Sequence, residues 1–348
     1  MASMANKQTS FSRKTEIDPP NLPPPAGSHW EATTSGYWQL ARLDAAWRQS
    51  VRWLTAVRSL EVGVSSWKFV TDSSFLVWQG RWESRRPEMC CLEVWVDGVR
   101  QTLVELQDAA QDTELCLFDA GSRHARTVEI YFPPTTSLTL RSVGIEAGAA
   151  LLAGQTGYRW CSWGDSITQG TLCPCARDSY VQQAAAQLGW TAMNQGFGGA
   201  GFPDPTTALA IARGDPWDIL TIAIGINSAL VGEATAAEFG EMYRVCLNIL
   251  AERCPGRPIV CISPVLCTRA NTESGDSIDQ RTRDITDAIR RIVNDAGHPE
   301  IQFVDGRSLL DEAQGLSPDQ LHPNPWGHRR IAERLSPILR TAAKKTLR

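Results

Sequence analysis

The sequence predicts an α/β chain in two parts: an antiparallel β-sandwich followed by a parallel sheet with helices on both faces. Three observations carry that expectation. Before about residue 152, short segments alternate apolar and polar side chains at period two. From about residue 158, continuous apolar runs alternate with helical stretches. Composition changes at 152–155, and eight of the thirteen tryptophans (30, 38, 47, 53, 67, 78, 82 and 95) fall before it.

In the first part the period-two sets are Val62 and Val64; Phe75 and Val77; Leu92, Val94 and Val96; Val128, Ile130 and Phe132; Leu138 and Leu140. Asp97-Gly98 is a hairpin turn signal, and Pro133-Pro134 ends another run. Short alternating strands at such intervals read as a sandwich. Its tryptophans have two readings, a core that needs large aromatics or a ring-stacking surface for carbohydrate. The core reading is preferred, with Trp78, Trp82 and Trp95 the first candidates for a surface.

In the second part strands are predicted at 158–163, 191–195, 219–224, 258–263 and 301–305. Helices are predicted at 178–188, 205–213, 236–253, 279–296 and 324–344. Buried strands alternating with amphipathic helices make a parallel sheet covered on both faces. The expected division is a disordered leader at 1–27, a sandwich at 28–154 resembling a carbohydrate-binding module, and a catalytic domain at 155–348.

Composition narrows the function. The chain has 348 residues, 43% of them hydrophobic and 21% charged, with a net charge of -4. That balance suits a globular protein and gives no reason to expect nucleic acid as a partner. No apolar run approaches the roughly 20 residues that cross a bilayer, so no membrane partner is expected. The polar, proline-rich N-terminus lacks the apolar core of a secretory signal, which makes the cytoplasm the expected location. The ten cysteines have no repeating spacing. Cys173-Pro174-Cys175 has no matching second pair, so no metal and no cofactor are expected.

The chemistry lies in Gly164-Asp165-Ser166-Ile167-Thr168-Gln169-Gly170, directly after a predicted strand. A serine between a buried strand and a glycine-rich turn presents its hydroxyl at the mouth of a pocket. Asp319-Gln320-Leu321-His322-Pro323 offers an acid and a base three residues apart. Together they point to acyl transfer through a covalent intermediate. Ligands of parallel sheets bind at the carboxyl ends of strands. Ser166, Gly199 and Asn227 all follow such ends.

Four blocks in this order resemble those of the SGNH or GDSL-type hydrolases: Gly-Asp-Ser; Asn194-Gln195-Gly196-Phe197-Gly198-Gly199; Gly225-Ile226-Asn227; and Asp-x-x-His-Pro. The resemblance covers roughly 157–339 and implies a flavodoxin-like three-layer α/β/α domain. It implies Ser166 as nucleophile, His322 as general base and Asp319 as the acid that orients the histidine. It implies an oxyanion hole of the Ser166 and Gly199 N–H groups and the Asn227 side-chain amide. Asp165 is expected to cap the turn, and Asp305 is the alternative orienting acid. His328 is read as surface or packing, and His29, His124 and His298 have no partner motif. Two departures stand out: Ser228 where many members carry aspartate, and Ala200 where related sequences often carry a polar residue.

A jelly-roll-like sandwich before such a domain resembles the double-domain bacterial acylhydrolases, which include carbohydrate deacetylases and natural-product acyltransferases. The resemblance implies a front domain that walls one side of the cleft. The expected activity is that of a serine esterase on a short-chain or aromatic acyl ester of a sugar-like or polyol substrate, a small carbohydrate or natural product. An acyltransferase using the same triad, and a catalytically silent carbohydrate-binding protein, are the alternatives.

Overall fold

The computed structural model describes residues 14–346 apart from 64, 85–90, 106–108, 155–156, 233 and 270–277. The front part contains β1 (Lys14–Ile17), β2 (His29–Ala32), β3 (Trp38–Ala41), β4 (Ser66–Thr71), β5 (Phe75–Ser84), β6 (Cys91–Val96), β7 (Val99–Glu105), β8 (Ala109–Asp119), β9 (Arg126–Tyr131), β10 (Thr136–Glu146) and β11 (Leu151–Ala153). They form two antiparallel sheets, one ordered β2-β3-β10-β5-β8 with β1 on β10, the other β11-β4-β9-β6-β7. Large side chains from both sheets meet in one core, among them Trp67, Phe69, Trp78, Leu92, Ile130 and Phe132. Each such burial contributes roughly 1.5–3 kcal/mol.

The period-two sets at 92–96, 128–132 and 138–140 fall inward as expected, all buried. Asp97 and Gly98 join β6 to β7 with φ of 49° and 79°, the left-handed pair of a type I′ turn. Three details differ. On β5 it is Leu76 and Trp78, rather than Phe75 and Val77, that join the inter-sheet core. This strand is covered on both faces, so Phe75 and Val77 are buried too and hydrophobicity does not select its inner face. The strand expected at 62–64 reduces to an isolated bridge from Glu61 to Ser137, and Val64 lies outside the described residues. Lys14–Ile17 pairs along β10, so this part of the expected leader is sheet; residues 1–13 lie outside the described residues.

Two short helices interrupt the sandwich between β3 and β4: α1 (Ala45–Arg48), capped by Asp44, and α2 (Trp53–Arg58). Neither was read from the sequence, because each is under two turns long and shows no helical period.

The second part runs β12 (Arg159–Gly164), α3 (Ser166–Gln169), α4 (Tyr180–Leu188), β13 (Thr191–Gly196), α5 (Pro205–Arg213), β14 (Ile219–Ala223), α6 (Ile226–Val231), α7 (Ala236–Arg253), β15 (Ile259–Ile262), α8 (Ile278–Ala296), β16 (Ile301–Val304), α9 (Gly306–Leu309) and α10 (Pro325–Thr346). The five strands are parallel in the order β13-β12-β14-β15-β16. This is the doubly wound pattern whose order reverses beside β12. Alternate residues of β12 feed different layers: Trp160 packs with α4 and α10, Cys161 and Trp163 with α7 and α8. The helices at 205–213 and 236–253 have the predicted bounds. The predicted helix 178–188 starts later, at Tyr180, because Ser179 caps it by accepting from Gln182 N–H. No helix among the described residues is long and apolar enough to cross a membrane.

Candidate active site

The loops after β12, β13 and β14 leave the sheet at the switch point, and each brings one block of the motif. After β12, Asp165 is the N-cap of α3, its carboxylate accepting from Ile167 N–H at 2.8 Å. Ser166 is therefore the first helical residue, held on a short rigid turn that ends at Gly170 with φ 85°. Asp165 acts as the cap that the sequence suggested. It is 4% exposed, and burial pushes its carboxyl up to about 7, against the hydrogen bonds it accepts.

After β13, the glycine loop passes tightly over α3. A Cβ on Gly196 would lie 2.3 Å from Gln169 N, so only glycine permits this approach. Asn194 stitches the crossing, its Nδ2 donating to Thr168 O at 2.7 Å and its Oδ1 accepting from Gly196 N–H at 2.9 Å. After β14, Gly225 with φ 130° turns the chain into α6. Asn227 then sits in the first turn, its Oδ1 accepting from Gly201 N–H at 3.0 Å. That bond fixes the amide and leaves Nδ2 without a protein acceptor among the described residues. The Ser166 and Gly199 N–H groups likewise make no backbone bond there.

The acid and base arrive on the loop before α10. Gln320, at φ 58°, folds the backbone back, and Ser317 N–H bonds to His322 O at 2.7 Å. Asp319 Oδ1 accepts from Leu321 and His322 N–H at 3.1 and 3.0 Å. Its Oδ2 lies 2.5 Å from His322 Nδ1, and His322 Nε2 lies 2.8 Å from Ser166 Oγ. The network assigns the proton to Nδ1, leaving Nε2 to accept from the hydroxyl. Burial tends to raise the Asp319 carboxyl, but the hydrogen bonds from His322 and Leu321 outweigh it and hold it below the ordinary value. A hydroxyl, an imidazole and an anionic carboxylate in line are equipped to move one proton off the serine.

The other candidates lie elsewhere. Asp305 caps α9 and pairs with Arg290 at 3.2 Å. His328 is buried and stacked on Tyr180, and burial depresses it to about 3. His29, His124 and His298 neighbour Glu31, Arg126 and Glu300. Ala200 is buried, its N–H closing a turn onto Phe197 O at 2.9 Å, and Ser228 is buried in α6. No group of three or more His, Cys, Asp or Glu among the described residues could hold a metal ion.

A front wall was expected from the resemblance, but sequence reasoning identified none of the residues that build it. A Cβ on Gly199 would lie 3.3 Å from Leu54 Cδ2 of α2. Arg42, 4% exposed, donates to Gly196 O at 2.6 Å and Asn194 O at 3.2 Å. Burial lowers its guanidinium to about 10, with Glu61 countering. Arg58 donates to Gly198 O at 3.0 Å. No local pattern marks Arg42 or Arg58: they are two of four arginines in a stretch, 42–58, that holds α1 and α2. Trp78 and Trp82 are core, while Trp95 lies under Arg177, 3.6 Å from guanidinium carbon to ring centre.

The domain type defines an ester-cleaving serine hydrolase. Residues 163–330 match the GDSL-like Lipase/Acylhydrolase family, and the chain carries that family's domain behind its sandwich. No curated protein matches the chain. Among solved structures it is similar to the salicylyl-acyltransferase SsfX3 from a tetracycline biosynthetic pathway, with TM-score 0.80 and 21% identity over 96% of this chain and 99% of that one. A chain described as a GDSL-like lipase from Bacteroides ovatus gives 0.76 and 18% over 95% and 98%. A family two carbohydrate esterase from Cellvibrio japonicus gives 0.67 and 16% over 96% and 98%. At these identities the likeness is one of fold, and it extends over both parts of the chain.

Proposed function

We propose that this protein is a serine esterase that cleaves a short-chain or aromatic acyl ester of a sugar-like or polyol substrate through an acyl-enzyme. The observation that carries the reading is the unbroken line from Asp319 through His322 to Ser166, beside three donors that no group among the described residues uses. Ser166 Oγ attacks the ester carbonyl carbon as its proton passes to His322 Nε2. Asp319 stabilises the imidazolium. The oxyanion accepts from Ser166 N–H, Gly199 N–H and Asn227 Nδ2. Collapse breaks the ester C–O bond, and His322 returns the proton to the departing alcohol. Water then repeats the sequence on the acyl-enzyme.

The substrate class is supported by the front wall. Leu54 faces the glycine loop, and its chain neighbour Trp53 is 75% exposed, a large ring free to stack on a sugar or an aryl group. The likeness to a carbohydrate esterase agrees with it. A second reading, acyl transfer to an alcohol, is favoured by the near-complete mutual coverage with a salicylyl-acyltransferase. Turnover of p-nitrophenyl acetate with and without added polyols, products resolved by mass, separates them. Free acetate alone supports hydrolysis, and acetylated polyol at low acceptor concentration supports transfer. Retained sugar binding with no turnover would overturn both in favour of a silent binding protein.

A further inference from the structure

The backbone of Gly198 is held at its C=O and at its N–H by groups the chemistry above does not use. Arg58 Nε donates to Gly198 O at 3.0 Å, across 140 residues of sequence. Gly198 N–H donates to Gln169 Oε1 at 2.6 Å. Glu61 joins the two holders: its Oε1 accepts from Arg58 Nη1 at 2.9 Å, and its Oε2 accepts from Gln169 Nε2. Gln169 Nε2 also donates to Pro134 O at 3.1 Å, and Arg42 Nη2 fixes Arg58 O at 2.6 Å. Both holders and the Glu61 and Arg42 side chains behind them are buried or nearly so, with the Arg58 side chain 17% exposed and that of Glu61 6%.

We propose that Arg58, supplied by the sandwich, is a positioning residue for the oxyanion hole, aiming and polarising the Gly199 N–H through the Gly198 carbonyl. The inference rests on the esterase reading, which gives Gly199 its role. In a planar trans peptide the C=O and the following N–H point in opposite directions. A guanidinium that fixes Gly198 O therefore fixes the aim of Gly199 N–H. Gly199, with φ 75° and no Cβ, supplies little restraint of its own. A cation on the carbonyl also draws electron density from the amide, which strengthens the N–H as a donor. The sandwich thus completes the catalytic apparatus rather than merely walling the cleft.

Arg58→Met keeps the stem's packing and removes every donor; Arg58→Lys keeps the charge but cannot serve Gly198 O and Glu61 in the same fork geometry. With p-nitrophenyl acetate, Arg58→Met is expected to lose about 10–10² in kcat with KM little changed, a fraction of the cost of deleting a donor outright. Arg58→Lys falls between it and the parent. Inactivation by a fluorophosphonate, whose phosphoryl oxygen occupies the same hole, slows in parallel. In Arg58→Ala, added guanidinium chloride at millimolar concentration restores part of kcat. A folded Arg58→Met or Arg58→Lys with the parent kcat overturns the proposal, as does a loss confined to KM or to melting temperature that guanidinium does not relieve. If the parent enzyme itself takes no fluorophosphonate at Ser166, the esterase reading fails instead; a labelled parent with indifferent Arg58 variants fails only this inference.

Discussion

The two halves of this protein reach order by different routes. In the parallel-sheet half, chemistry follows from local sequence. Three blocks sit at strands' carboxyl ends, and Asp319 and His322 meet because only a left-handed Gln320 and Leu321 separate them. In the sandwich, order comes from burial, with Trp67 and Trp78 each 1% exposed in a core shared by two sheets. The halves meet where neither pattern operates, at α2 and the glycine loop, through Arg58, Glu61 and Gln169. A motif can thus name the reacting groups while a distant, patternless segment sets their geometry.

Variants in the two halves should therefore fail differently, and the largest failures belong to the sheet. Ser166→Ala is expected to lower kcat by about 10⁶ with melting temperature near the parent's, as for removal of a nucleophile that works as part of a unit. Asp319→Asn keeps the shape but unsettles the tautomer of His322, and a loss of about 10⁴ in kcat is expected. Asn227→Ala removes one oxyanion donor and should cost about 10²–10³ in kcat with little change in KM. A KM effect alone would move Asn227 out of the oxyanion hole.

In the sandwich the expected loss is stability. Trp78→Ala, by emptying a packed core position, should cost about 3–5 kcal/mol in denaturant unfolding while the folded fraction keeps its kcat. Parallel loss of kcat per folded molecule would mean that the halves are coupled throughout, and not mainly through α2.

A milder effect is expected at Asp165, on the sheet side. Asp165 titrates near 7 when buried, against about 3.9 in an unfolded chain. Between those values the native state keeps a proton that the unfolded chain has lost, so this group's contribution falls as pH rises through the window. Asp165→Asn keeps an acceptor for Ile167 N–H without the charge. Its melting temperature should match the parent's near about pH 4 and gain several degrees by about pH 7.5. A gain independent of pH would contradict the assignment.

The sheet half was legible because period and motif coincide there. Buried runs ended where Ser166, Gly199 and Asn227 begin, and the helices at 205–213 and 236–253 carry their own caps, Asp204 and Thr235. The short helices α1 and α2 were not legible, since four and six residues give no helical period. Nor was the inner face of β5, because a strand buried on both sides offers hydrophobicity no choice of face. Arg58 was beyond reach of pattern reading altogether. Its partner is set by how two domains dock, and nothing near residue 58 in sequence specifies a carbonyl at 198.

Activation of Ser166 by His322 and Asp319 underlies the proposed chemistry. Intact-mass spectrometry after brief exposure to a fluorophosphonate, comparing the parent with Ser166→Ala, tests it most directly. A single adduct on the parent and none on the variant is expected. No adduct on a folded parent, or the same adduct on both, would contradict it.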